Sequence, residues 1–224
     1  MQQQIQIITN KQSLRVSTLF QEFICKRFDI KDISSIHKTA NHEVLIQGTD
    51  QATYIHKAIY SEFDKDNDSP LVTEYRLLAQ SCASLLREQT GVDSWCIQRY
   101  PSFRVQFPNN VSVFEFHRDS NYNHPLGEVN HFLAINECRN TSALWVEETL
   151  GWSDVKPLNL KKGEIAKLNT SIFLHGDKQN LEGYTRMSID FRLIPTQVLE
   201  NEVQKTSLSK NIAFNSDNYF MLCP

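Results

Sequence analysis

Between Trp95 and Ile194 the sequence breaks into short runs of alternating apolar and polar residues separated by turn chemistry, with no long helical pattern between them. Many short strands without intervening helices point to a sandwich or jelly roll and exclude a parallel α/β sheet, which needs a helix after nearly every strand. The expected strands are Trp95 to Tyr100, Phe103 to Phe107, Val111 to His117, Gly127 to Asn136, Ser142 to Glu148, Ile165 to Leu168, Ile172 to His175 and Arg186 to Ile194. In the last of these, Met187, Ile189, Phe191 and Leu193 share one face, while Arg186, Ser188, Asp190 and Arg192 share the other.

Before Trp95 the pattern is helical. Ser13 to Phe28 sets Val16, Leu19, Phe20, Phe23 and Ile24 at helical spacing, with Ser13 available as a cap. Ser69-Pro70 reads as an N-cap followed by proline at the first helical position. From there Leu71, Tyr75, Leu78, Cys82 and Leu85 recur in steps of four and three until Gly91. This second helix is expected to brace the outside of the β-sandwich. Residues 41 to 61 fit either a strand or other structure.

The candidate chemistry lies in His117-Arg118-Asp119, His175 and Arg186-Met187-Ser188. Two imidazoles and one carboxylate can hold one face of a metal, which leaves positions for a chelating co-substrate and O2. A guanidinium fork binds a carboxylate bidentately, and the Ser188 hydroxyl can donate a further hydrogen bond to the same group. His-x-Asp alone is common in a chain with 7 histidines and 26 acidic residues. The second histidine, the interval and the Arg-x-Ser offset give the pattern its specificity. On a strand His117 and Asp119 face one centre. His175 is expected at a strand end, with Gly176-Asp177 opening a turn and Arg186 on the strand beside it.

The stretch from Phe114 to Pro195 resembles the iron(II)/2-oxoglutarate-dependent oxygenases and is most similar to a branch associated with streptomycin biosynthesis. The matching elements include His117-Arg118-Asp119-Ser120-Asn121-Tyr122, Gly127-Glu128-Val129-Asn130, Leu144-Trp145-Val146-Glu147, Gly163, His175 and Thr185-Arg186-Met187-Ser188-Ile189-Asp190-Phe191-Arg192. The resemblance implies a mainly β fold with flanking helices, a cupin-like double-stranded β-helix (jelly roll). It implies Fe(II) held by His117, Asp119 and His175, with 2-oxoglutarate as co-substrate and Arg186 on its tail carboxylate. The expected activity is that of a dioxygenase hydroxylating a small polar or biosynthetic molecule, with release of succinate and CO2. Halogenating branches resemble this pattern but replace the carboxylate with a small residue, so Asp119 favours hydroxylation. A non-oxidative metal-binding cupin, such as an isomerase or sugar-binding module, is the alternative, but it has no use for Arg186-Met187-Ser188.

Further candidates have ordinary structural readings beside the functional ones. Asn130 is placed to bond the C1 carboxylate of the oxoacid, or Asp119 itself, or else solvent. Tyr122 reaches the oxoacid or a substrate hydroxyl, or packs on the metal loop. Arg192 is a substrate-anion ligand or a second choice for the oxoacid anchor. Trp145 and Glu147 are substrate candidates, against a core tryptophan with a solvated glutamate.

Composition bounds the rest. The 224 residues suit a single domain, divided into a mostly helical support and substrate mouth (1–94), a jelly-roll core (95–195) and a polar C-terminal tail (196–224) that reads as a helix plus a loosely held end. A net charge of −3 gives no basic field for nucleic acid or an anionic membrane. No apolar run approaches membrane-spanning length, the N-terminus does not read as a signal peptide, and the 5 cysteines lack Cys-x-x-Cys spacing. A cytoplasmic enzyme with reduced thiols, using O2 and a small-molecule substrate, is the expectation.

Overall fold

The structure is a computed structural model and describes residues 1–39, 53–65, 69–111, 115–201, 206–208 and 211–223. Its helices are α1 (Lys11–Phe28), α2 (Tyr54–Phe63), α3 (Pro70–Thr90) and α4 (Thr196–Asn201). Its strands are β1 (Gln6–Ile8), β2 (Trp95–Gln98), β3 (Ser102–Gln106), β4 (Val129–Ala134), β5 (Leu144–Glu147), β6 (Val155–Leu158), β7 (Ile165–Leu168), β8 (His175–Asp177), β9 (Arg186–Pro195) and β10 (Phe220–Leu222).

The strands form two antiparallel sheets of a cupin-like jelly roll. The larger runs β1-β7-β4-β9-β2-β10 with β3 also on β9, and the smaller runs β6-β5-β8. Strict alternation along β9 decides what each face meets. Met187, Ile189, Phe191 and Leu193 join Phe20, Tyr75, Leu78 and Phe103 in a core between the larger sheet and the helices. A second core between the sheets joins Phe132 and Ala134 of β4 and Leu168 of β7 to Leu144 and Val146 of β5. The polar residues of β9 therefore point toward the space between the sheets. Burying each large apolar side chain contributes roughly 1.5–3 kcal/mol, so β9, buried on both faces from Arg186 to Ile194, is the spine of the fold.

Several expectations need correction. The N-cap of α1 is Asn10, whose side chain accepts from the Ser13 backbone N–H while the Ser13 hydroxyl accepts from the Asn10 N–H; Ser13 is thus the inner half of a capping box. The α3 boundaries match Ser69-Pro70 and Gly91, the latter left-handed at φ 70°. The end of the chain is tied down, because β10 pairs with β2. His175 begins β8 instead of ending a strand, since residues just before it turn through a Phe173 N–H to Asn169 carbonyl bond. Most importantly, β9 does not neighbour β8. The histidine strand pairs with β5 in the smaller sheet, so Arg186 approaches from the facing sheet. The expected strand from Val111 to His117 includes residues 112–114, which lie outside the described residues, as do 41–52 of the open segment. Among the described residues, no helix is long and apolar enough to cross a membrane.

Candidate metal centre and co-substrate pocket

His117 and His175 face each other across an isolated antiparallel bridge, with each backbone N–H donating to the other's carbonyl at 2.9 Å. The bridge sets the two rings 4.4 Å apart between centroids. Arg118 is extended, so Asp119 returns to the same side as His117 before opening a short 3-10 turn over Asp119–Tyr122. Both imidazole Nε2 atoms lie 3.5 Å from Asp119 Oδ1. Their Nδ1 atoms lie near backbone carbonyls, 2.8 Å from Glu115 for His117 and 3.2 Å from Phe173 for His175. A carbonyl only accepts, so it keeps the proton on Nδ1 and leaves the Nε2 lone pair for a metal. Among the described residues, this trio is the group of ligand atoms close enough to share one ion, all within 4.8 Å of one another. Gly176 allows the chain before His117 to lie close, since a Cβ there would come within 3.0 Å of Phe116 Cα.

The outer oxygen of Asp119 is held separately. Its Oδ2 accepts from the Thr170 hydroxyl at 2.6 Å and from Arg192 Nη2 at 2.8 Å. Burial would raise the pKa of this carboxyl, but its charged surroundings, the Arg192 guanidinium foremost, outweigh that effect and hold it well below the usual range. Arg192 also donates to Asp190 at 3.0 Å and lies 3.4 Å from Glu128. Its buried guanidinium is therefore matched by carboxylates and serves as a brace for Asp119. Arg192 also lines the cavity.

Arg186 is fully buried at the other end of the cavity. It donates through Nε to the Ser142 carbonyl at 3.0 Å, through Nη1 to Ser188 Oγ at 2.9 Å, and through Nη2 to Asp177 Oδ1 at 2.7 Å. A guanidinium has five N–H donors, so two remain beyond these three bonds, and the Ser188 hydroxyl keeps its own proton to donate. Asp177 lies two residues from His175 on one strand face, which places the guanidinium roughly 7 Å along from the histidine position. The cavity between these ends is lined by His117, His175, Arg104, Asn130, Phe132, Leu144, Asp177, Arg186, Asp190 and Arg192 together with Gly176.

No family model matches the chain. It is 30% identical over 181 residues to the streptomycin biosynthesis protein StrG of Streptomyces griseus, across 81% of this chain and 82% of that protein. The chain belongs to the StrG family. Its fold is shared with EctD from S. alaskensis, solved with bound Fe, at 13% identity and a TM-score of 0.57, covering 91% of this chain and 76% of that one. It is also shared with SnoK, a non-heme alpha ketoglutarate dependent carbocyclase from nogalamycin biosynthesis, at 12% identity and a TM-score of 0.54, covering 87% and 81%.

In this StrG-family chain the other sequence candidates fall in different places. Ser188 contacts Arg186. Asn130 reaches Asp119 only through Thr170, to whose hydroxyl its Nδ2 donates at 3.2 Å. Tyr122 packs edge-on against the His117 ring at 5.1 Å. Trp145 and Glu147 lie on the opposite face of β5 from Leu144 and Val146, away from the cavity. Lys178 Nζ sits 3.4 Å from the Trp145 ring centroid. Glu147 is buried rather than solvated, and accepts from Arg118 and from the backbone N–H groups of Leu174, Gly151 and Ser153 at 2.8 to 3.1 Å. Burial raises its pKa, and those donors more than offset the effect to lower it. Glu147 thus ties the segment after His117 to the segment before His175. The described helices before Trp95 pack against the larger sheet. Sequence reasoning missed Thr170, Ser142, Asp190 and Asp177, whose roles come from contacts across strands.

Proposed function

We propose that this StrG-family chain is an iron(II)- and 2-oxoglutarate-dependent dioxygenase that hydroxylates a small polar molecule. The observation that carries the reading is the convergence of two Nε2 lone pairs and one carboxylate oxygen beside a buried arginine on the facing sheet. The donor set suits Fe(II), with three ligands and the remaining positions open. The pocket suits the oxoacid, because the spacing from His175 to the guanidinium matches its length and two N–H donors remain for its tail. EctD, solved with Fe, and SnoK, which uses alpha ketoglutarate, share this fold and support the choice of cofactors.

When bound, iron and the oxoacid supply the oxidation: O2 is reduced, 2-oxoglutarate becomes succinate and CO2, and one oxygen atom enters a substrate C–H bond. The protein's residues do the positioning. His117, Asp119 and His175 would hold the metal, with Asp119 fixed by Arg192 and Thr170 so that its inner oxygen stays turned toward the histidines. Arg186 and Ser188 would orient the oxoacid tail. Phe132 and Leu144 exclude water from the wall between them. Because Asp119 keeps its carboxylate, the ligand set offers no vacancy for a halide, which favours hydroxylation.

The test is turnover with Fe(II), 2-oxoglutarate and O2 over a set of small polar metabolites. Succinate should form in step with a product one oxygen heavier than its parent. A product of unchanged mass or lacking two hydrogens, formed with equal succinate, would replace hydroxylation with another oxidation. No consumption of 2-oxoglutarate under any condition would remove the reading.

A further inference from the structure

We propose that Asn130 is a specificity residue whose side-chain oxygen accepts a hydrogen bond from a hydroxyl group of a neutral substrate in the cavity. The inference rests on the oxygenase reading and deepens it. Its starting point is a single proton. The Thr170 hydroxyl lies 2.6 Å from Asp119 Oδ2, and that carboxylate is salt-bridged to Arg192 at 2.8 Å. An ionised carboxylate only accepts, so the proton of Thr170 must point to it. The hydroxyl has no second proton, and Asn130, 3.2 Å away, must therefore present its Nδ2 as donor.

This relay locks the amide. With Nδ2 turned to Thr170, Oδ1 points away, and it is buried without a hydrogen-bond partner among the described residues. Asn130 itself is 4% exposed and lines the cavity. A buried acceptor left unpaired is costly, and such groups in folded proteins normally have a partner. A carboxylate cannot be the partner of Oδ1, because two acceptors would face each other, while the second N–H of Nδ2 stays available for the oxoacid's C1 carboxylate.

The surrounding charge narrows the donor further. Arg192 lies directly opposite Asn130 across the β4–β9 pair, and Arg104 lines the same cavity. Asp190 is bonded to both arginines, at 2.9 Å from Arg104 Nε and 3.0 Å from Arg192 Nη1. A hydroxyl donates to that oxygen without adding a charge to a site whose arginines and carboxylates are already paired. Phe132 and Leu144 offer apolar surface to the carbon skeleton of such an alcohol or polyol.

The experiment is anaerobic titration of the protein loaded with Fe(II) and 2-oxoglutarate, following the change in its visible absorption as ligand is added. The probes are myo-inositol, D-glucose and sorbitol, each paired with a monodeoxy analogue, with glutamate and a simple alkylammonium salt as charged controls. The native protein should bind a polyol and prefer it to one deoxy partner by about 5- to 10-fold, the effect of one neutral hydrogen bond. Asn130→Ala should reduce that preference to near unity, and Asn130→Asp, which keeps an acceptor, should retain part of it. Normal formation of the absorption band shows that a variant is folded with its metal site intact. An unchanged preference in Asn130→Ala, or binding of charged controls with no neutral polyol bound, would overturn the proposal and leave the oxygenase reading standing. Binding of none of the probes to a protein that forms the band would do the same. Failure of the native protein to form the band would remove the oxygenase reading and this inference with it.

Discussion

Arg186 is already paired with Asp177, and this makes Asp177→Asn an informative perturbation. If the oxoacid tail docks on the two remaining N–H donors of Arg186, its carboxylate and that of Asp177 share one guanidinium. Asp177 Oδ1 is 2.7 Å from Nη2. Two carboxylates on one fork lie roughly 5 Å apart, and at an effective dielectric constant near 20 their repulsion is about 3 kcal/mol. Their common attraction to the guanidinium is unaffected by this sum, and side-chain relaxation absorbs part of the repulsion, so about half is expected to be recovered. Asp177→Asn should therefore bind 2-oxoglutarate roughly tenfold more tightly. The cost appears in the free protein. Removing the charge leaves Arg186, which is fully buried, without its anion, and folding stability should fall by roughly 3 kcal/mol. Saturating oxoacid should restore much of that loss. Anaerobic titration of the Fe(II) protein gives the affinity, and urea unfolding with and without oxoacid gives the stability. Unchanged or weaker oxoacid binding in Asp177→Asn would show that the tail does not share Arg186 with Asp177.

His131 is buried and stacked on Phe191 at 5.3 Å, and burial, with a smaller effect from Lys167, lowers its pKa to about 3. The unfolded chain takes up this proton near pH 6.5 while the folded protein does not, so stability falls as pH drops from about 6.5 toward 3, by roughly 2 kcal/mol at pH 5. Urea unfolding of His131→Phe should lose that part of the pH dependence; an identical slope in the variant would refute it. Glu147→Gln should cost about 2–3 kcal/mol at pH 7 and loosen metal binding, because the carboxylate ties Arg118 to the Leu174 backbone. The Glu147 pKa is depressed on folding, so its contribution is complete above the ordinary glutamate range near 4.3 and lost as pH falls through the lower folded value. The difference between native and variant stability should shrink over that acid window, and a constant gap would contradict it.

What was legible in the chain follows from which interactions are local. Alternation from Arg186 to Leu193 named both faces of β9, because a strand's period is fixed by backbone geometry. The same period, carried through an extended Arg118, put Asp119 on the His117 side even though His117 itself makes only an isolated bridge. Ser69-Pro70 and Gly91 marked α3 through local backbone constraints. Pairing between strands is not local, and so Arg186 was assigned to the strand beside His175 when it projects from the facing sheet. The same limit hid the partners that decide function at each arginine. Nothing within a few residues of Arg192 shows that Asp119 meets its guanidinium, and nothing near Glu147 in sequence shows three converging backbone N–H groups and Arg118. The relay from Asp119 through Thr170 to Asn130 joins three segments and becomes visible only when they are folded together.

The central claim is that His117, Asp119 and His175 hold one ferrous ion beside an oxoacid anchored by Arg186. Anaerobic addition of Fe(II) and then 2-oxoglutarate, followed by visible absorption, addresses it directly. The account predicts a metal-to-ligand charge-transfer band that saturates at one iron per chain, disappears in His175→Ala and requires much more oxoacid in Arg186→Met. A native protein that binds iron without developing the band, or a His175→Ala variant that develops it undiminished, would contradict the account.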